Sequence, residues 1–251
     1  MNNILFTNNM EKYAKPEAYD QTYNHFQNDL PLLLEWAVKK GGTAIDLACG
    51  TGRITIPIAE NGLDIIGIDL NEGMLERAKK KSAEKNLSLK WFLQDCSSFM
   101  VNVESPFIFM TGNSFQHFLT NESQNALLQS VYHHLQEDGI FIFGTRFPKF
   151  TDLVTESTVE QTDHSIEYFE EEYNPITQIL YSTSIRKIST EDGIIEEKDS
   201  ISLRYVFPQE MDRLLEQNGL TVRHRYGTWD KKPLDGTSAE MIYICQKIVE
   251  E

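Results

Sequence analysis

Two carboxylates, a glycine turn between them and one histidine carry the chemistry that can be read directly from this sequence. Asp46 lies in the apolar run from Thr43 to Leu47 and is followed by Ala48-Cys49-Gly50-Thr51-Gly52-Arg53. Gly50 and Gly52 let the backbone turn sharply and leave room for a ligand to lie against it. Asp69 closes a second apolar run, Leu63 to Ile68, 19 residues beyond Gly50. A carboxylate at the tip of a second strand can accept both hydroxyls of a ribose. A dinucleotide fits poorly, because the third glycine of its fingerprint would fall at Thr55 and because Asp46 would repel a pyrophosphate. The ligand expected here has a ribose, no phosphate and a cationic end, with Asp46 meeting the cation and Asp69 holding the sugar. His117 lies six residues past the end of another apolar run, Pro106 to Thr111, where an imidazole can be both wet and titratable.

The surrounding elements must hold these groups in place. Ile54, Pro57, Ile58 and Ala59 recur at helical spacing after the turn, so the glycine loop opens directly into a helix. Asn71 is the expected cap of the next helix, whose buried stripe is Met74, Leu75 and Ala78. Leu87 to Leu93 reads as a third strand, Pro106 to Thr111 as a fourth, and Gly139 to Thr145 as a fifth, with Gly139 ending the helix before it. Upstream, residues 1–12 read as a tail and Tyr13 to Lys39 as one helix stopped by Gly41-Gly42. From Phe147 the pattern changes. His164 to Tyr173, Ile176 to Ile188 and Ile194 to Val206 are β-rich and punctuated by the turn signals Asn174-Pro175 and Glu191-Asp192-Gly193. They predict two hairpins or a three-stranded antiparallel sheet. Pro208 to Asn218 returns to helix, Gly219 ends it, and Leu220 to Tyr226 and Glu240 to Lys247 supply the last strands. Alternating strands and helices predict an α/β, doubly wound sheet.

The segments Asp46-Leu-Ala-Cys-Gly-Thr-Gly-Arg53 and Asp69-Leu-Asn-Glu-Gly-Met74-Leu resemble the class I S-adenosylmethionine-dependent methyltransferases, and the likeness runs through most of the chain. Ala48 stands where that family often has glycine. The resemblance implies a Rossmann-like seven-stranded sheet whose last strand pair includes an antiparallel strand. It also implies one domain over residues 1–251, with residues 147–205 as an inserted antiparallel β lid over the acceptor pocket. S-adenosylmethionine is the implied cofactor, with contacts from Tyr19, Asp46, Ala48, Cys49, Gly50, Thr51, Gly52, Arg53, Asp69, Leu70, Met74, Asp95, Cys96 and Asn113. Within that set, Asp95 or the backbone beside it would meet the adenine amino group, although a loop aspartate also serves as a cap for Ser97 onward. Asn113 would line the methionine part, and His117 would lie near the acceptor. The helix carrying Tyr19-Asp20 and Tyr23 would cover the cofactor, its aromatic residues facing the methyl group.

If the acceptor must lose a proton, His117 is the first candidate base and Tyr23 the second. Burial of His117 between Phe115 and Phe118 would disfavour the imidazolium and leave a neutral ring at pH 7. His133 and His134, on a helix with Leu127, Leu128 and Val131, read as surface or packing residues. The three cysteines, Cys49, Cys96 and Cys245, form no metal or disulfide pattern, so no metal is expected and a reducing cytoplasm is the default. The sequence shows neither a signal peptide nor an apolar run of about 18 residues, which leaves no expected membrane partner. The chain carries 23 Lys plus Arg against 38 Asp plus Glu, for a net charge of -15. Such a surface repels a phosphate backbone. The lone basic run, Lys79-Lys80-Lys81, falls at a helix end where cations oppose the dipole. A small-molecule acceptor, methylated on nitrogen or oxygen, is therefore favoured over RNA or protein, for a monomer or homodimer. A cofactor-binding module without catalysis would carry the same binding residues.

Overall fold

The structure, a computed structural model, describes residues 9, 13–149, 151, 153, 155–161, 165–190 and 193–248. Seven strands form one sheet: β1 (Ala44–Leu47), β2 (Ile65–Asp69), β3 (Lys90–Leu93), β4 (Ser105–Met110), β5 (Leu135–Arg146), and the late pair β10 (Leu220–Tyr226) and β11 (Glu240–Lys247). Their spatial order is β10-β11-β5-β4-β1-β2-β3. Neighbours from β3 across to β5 pair in parallel, whereas β11 pairs antiparallel with both β5 and β10. The chain leaves β1 toward β2 on one side and enters β4 on the other, so a crevice opens at the carboxyl ends of β1 and β4.

Burial explains why the central strands read as continuous apolar runs. Every residue of β4 is buried, with Ile108 and Met110 on one face and Phe107 and Phe109 on the other. The first face packs on α5 (Asn121–His134) and α6 (Pro208–Gln217) through Leu127, Leu128, Met211 and Leu215. The second packs on α2 (Leu30–Lys40) and α3 (Thr55–Glu60) through Leu32, Leu33, Ala37 and Ile58. Covering both faces is what a parallel sheet requires. The helix α4 (Glu72–Glu84) begins as expected, its Asn71 side chain accepting the Met74 N–H at 3.1 Å.

Several expectations need correction. The single helix expected over residues 13–39 is two, α1 (Pro16–Tyr23) and α2, because Asn24 to Asp29 bends the chain across Arg53. Gly139 does not end α5. That helix stops at His134, with Leu135 already extended as its cap and first residue of β5. Lys81 does lie in the last turn of α4, as expected, and its ammonium also reaches a buried carboxylate, Asp20, at 2.9 Å. Residues 1–12 lie outside the described residues except Asn9, which is buried rather than trailing free.

Beyond β5 a second sheet of four antiparallel strands stands apart, in the order β6 (Glu156–Gln161), β7 (Ser165–Asn174), β8 (Ile179–Thr190), β9 (Gly193–Arg204). Strand β6 is the one missed, since Glu156-Ser-Thr-Val-Glu-Gln161 offers a single large apolar residue. The turn residues Glu191 and Asp192 lie outside the described residues, as does His164. The base of this sheet is buried through Ile179, Leu180, Ile201 and Leu203, while Val159, Ile194 and Ile195 farther out are exposed. Among the described residues no helix is long and apolar enough to cross a membrane.

Candidate active site

The turn after β1 passes through three left-handed residues, Ala48, Gly50 and Gly52. Alanine at the first tolerates this conformation only at a cost. At Gly52 space is limiting as well as conformation, for a Cβ there would stand 2.9 Å from the Trp91 ring. Gly52 thus packs against Trp91 and Ile56 rather than lining a cavity. Gly50 does line one. Its N–H donates to Asp69 Oδ2 at 2.7 Å, and the Asn71 N–H donates to Oδ1 at 2.8 Å, so the second strand's carboxylate is fixed by two backbone groups.

A cavity of about 750 Å³ opens beside this pair. Tyr19, Ala48, Gly50, Asp69, Leu70, Met74, Asp95 and Cys96 line it, all of them expected from the sequence. Asp95 does cap its loop, since Oδ1 accepts from Ser97 N at 2.8 Å and from Ser97 Oγ at 2.7 Å, and it borders the cavity as well. A small annex of about 30 Å³ is lined by Tyr19, Asp46, Cys49, Thr51 and Arg53 together with Thr111 and Ser114. Burial drives the Cys49 and Cys96 thiols well up, so neither is a nucleophile at neutral pH.

Asp46 is the unusual group. It is buried, its Oδ2 accepts the Thr55 hydroxyl at 2.6 Å, and its Oδ1 has no hydrogen-bond partner among the described residues. Burial pushes its pKa up to about 7 despite the Thr55 bond. A buried half-satisfied carboxylate on the wall of an annex calls for a cation. Arg53 does not supply one, because its guanidinium is clamped on Asp29 at 2.7 and 2.5 Å and also donates to the Phe26 carbonyl.

Around the acceptor end the expected residues separate. His117 lines the main cavity, at the end of a 3₁₀ turn, Ser114–His117. Asn113 precedes that turn in the left-handed conformation and borders neither space, although its neighbours Gly112 and Ser114 do. Tyr23 stands outside the cavity wall, its ring 4.7 Å from that of Tyr19. In its place the structure brings in two residues missed by sequence reasoning, Tyr13 and Asn9. Tyr13 Oη is 3.0 Å from His117 Nε2, and Asn9 Nδ2 is 3.0 Å from His117 Nδ1. Neither carried a signal: Asn9 sits in a polar stretch, and Tyr13, expected to open the helix over residues 13–39, lies before its actual start at Pro16 and outside the i, i+4 spacing that drew attention to Tyr19 and Tyr23.

Among the described residues the wall of the main cavity holds the carboxylates Asp69 and Asp95 and neither lysine nor arginine. With Asp46 unsatisfied, this donor set fits a ligand with sugar hydroxyls and a positive charge, and it opposes phosphates. A methyltransferase domain model matches residues 44–139, which span β1 to the start of β5. The putative methyltransferase YqeM of Bacillus subtilis is 29% identical over 155 residues, 60% of this chain and 62% of that protein. Residues 44–139 thus match a methyltransferase domain, and the chain is similar to S-adenosylmethionine-dependent methyltransferases. A solved S-adenosylmethionine-dependent methyltransferase from Clostridium acetobutylicum superposes on this chain with a TM-score of 0.81 at 17% identity, covering 93% of this chain and 97% of that one. CalS10, an amino pentose methyltransferase from Micromonospora echinaspora solved with S-adenosylmethionine, superposes at 0.70 with 14% identity over 92% and 96%. The curated relatives with stated reactions are matched over less of their length. A carboxy-S-adenosyl-L-methionine synthase of Nitratiruptor (32% identical) is matched over 42% of its length, 40% of this chain, and a glycine/sarcosine N-methyltransferase of Aphanothece halophytica (30% identical) over 39% of its length, 41% of this chain.

Proposed function

We propose that this protein is a methyltransferase that moves the methyl group of S-adenosylmethionine to a nitrogen or oxygen atom of a small molecule held against Tyr13 and His117. The observation that carries the reading is the buried, half-satisfied Asp46 on the wall of the annex, which shares Tyr19, Gly50 and Ser114 with the main cavity that holds the anchored Asp69 and His117. Bound there, S-adenosylmethionine supplies an activated methyl on a sulfonium centre. Asp46 meets the ligand's ammonium, Asp69 accepts from the ribose, and Asp95 and Cys96 border the adenine. Tyr19 and Ser114 line both spaces and so fall between the methionine and the acceptor. What remains for the protein is to hold the acceptor in line and exclude water, effects that supply up to about 7–11 kcal/mol in the best intramolecular cases.

The second sheet serves as a lid in this reading. None of its described residues lines the cavity, yet β9 reaches the acceptor end through Ser202, bonded to Asn9, and through the Arg204 carbonyl, 3.4 Å from Gln116 Nε2. A small acceptor is supported by the size of the cavity, by the acidic chain and by the amino pentose substrate named for CalS10. The three cysteines are buried and unpaired, which suits a reducing cytoplasm.

Calorimetry with S-adenosylmethionine and its demethylated product tests the cofactor half. Both should bind, and Asp69→Ala should weaken binding by about 1.5–3 kcal/mol through lost charge-assisted hydrogen bonds. Unchanged affinity in that variant would remove Asp69 from the site. A screen with methyl-labelled cofactor tests the rest, and tight binding with no transfer to any small acceptor would favour a sensing module instead.

A further inference from the structure

We infer that Asn9 is a positioning residue that locks His117 in its Nε2–H tautomer, so that the site offers the acceptor hydrogen bonds but no base, and that the acceptor is an amine. This rests on the reading of the cavity as a methyl-transfer site. The Asn9 amide is held by both backbone groups of one residue: its Oδ1 accepts the Ser202 N–H at 2.6 Å, and its Nδ2 donates to the Ser202 carbonyl at 2.8 Å. Turning the amide over would set donor against donor and acceptor against acceptor, so its orientation is fixed by strand β9. The same NH₂ lies 3.0 Å from His117 Nδ1, which must therefore accept. The proton of the neutral ring then sits on Nε2, 3.0 Å from Tyr13 Oη, and is donated to it.

Tyr13 is no substitute base. Burial, with Tyr19, Asp69 and Tyr23 adding to it and Arg146 opposing, holds its phenol well above the usual range. Asp69 and Asp95 line the same cavity but belong to the cofactor end. A hydroxyl acceptor has to shed its proton as it is methylated, and both ring nitrogens of His117 are already engaged. An amine has no such need. Its lone pair forms the new N–CH₃ bond while the S–CH₃ bond breaks, the positive charge passes from sulfur to nitrogen, and the resulting ammonium loses a proton to water afterwards. Tyr13 Oη, already accepting from His117, can take a second hydrogen bond from the amine N–H and aim its lone pair at the methyl.

Two measurements on the full chain test this. In two-bond ¹⁵N–¹H spectra at pH 7.5, without ligand, His117 should show a protonated Nε2 and an unprotonated Nδ1. Asn9→Asp keeps an acceptor for the Ser202 N–H and should transfer the proton to Nδ1. A wild-type ring protonated on Nδ1, alone or as imidazolium, overturns the tautomer whether or not the variant folds. The second measurement follows label from methyl-labelled S-adenosylmethionine into matched small sugars that differ by one amino or hydroxyl group. Only the amino members should be methylated, with rates rising through the ammonium pKa of each acceptor. In Asn9→Asp a second ionisation, that of His117, should enter the profile. Methylation of a hydroxy member at a comparable rate overturns the amine class and leaves methyl transfer standing. Methylation of no member overturns the amine class together with methyl transfer, and the spectra still decide the tautomer.

Discussion

A carboxyl group held near pH 7 by burial changes charge in the range where the protein works, and Asp46 is such a group. Its folded pKa lies above the ordinary value near 4, so its contribution to stability is full below about pH 4 and is lost as pH rises through about 7. The ligand-free protein should therefore melt at lower temperature as pH rises from 5 to 8, and Asp46→Asn should flatten that slope in a thermal titration. Cofactor affinity should move the other way. It should rise with pH through about 7, because the bound cation prefers the ionised carboxyl, and the same variant should lose both the rise and most of the affinity. A pH-independent melting curve in the wild type would contradict this. The cavity wall around Asp69 was legible in the sequence because its groups lie within a few residues of a glycine turn and two strand tips. The acceptor end was not. Asn9, Tyr13 and His117 are brought together across more than a hundred positions, and the aromatic pair at helical spacing, Tyr19 and Tyr23, splits between cavity wall and packing.

The helices around the turn show how separate elements share one anchor. Asp20 on α1 accepts from Thr51 Oγ1 at 2.6 Å, Arg77 Nε at 2.7 Å and Lys81 Nζ at 2.9 Å, joining α1 to α4 and to the cofactor turn. Removing one member of such a cluster strands the others. Asp20→Ala should cost about 2–4 kcal/mol in denaturant unfolding, speed amide exchange in α1, and weaken the cofactor through Thr51. Loss of stability with normal exchange in α1 would place the effect elsewhere. Strands were easier to find than helix limits. Burial on both faces writes β1, β2, β4 and β5 as apolar runs, whereas the break between α1 and α2 depends on Arg53 reaching Asp29 and the Phe26 carbonyl, a tertiary contact without a local pattern. Strand β6 was hidden for a related reason, being an edge strand with exposed side chains.

At the scale of the whole molecule, the seven-stranded sheet carries the turn and strand ends that line the cavity, and the four-stranded sheet meets the His117 end through its base. Leu203→Ala, at that buried base, should cost about 2–5 kcal/mol. Excising residues 186–197 at the far end and closing the hairpin with a short turn should leave thermal stability nearly unchanged. Among the described residues the side chains removed with that segment are mostly exposed, and its exposed ion pairs, Lys15 with Glu197 among them, contribute little. A large loss from the excision would show that the outer half of the sheet is covered by something in solution. The clamp on Ser202 has a consequence in time as well as in space. Asn9 and Ser202 are separated by 193 residues, so the clamp cannot close until all of the chain between them has been made. The cofactor turn, built from neighbours 19 residues apart, can form much earlier. Closing so long a loop is entropically costly and slow. Refolding should restore cofactor binding first and methyl transfer later, with the interval set by the arrival of β9.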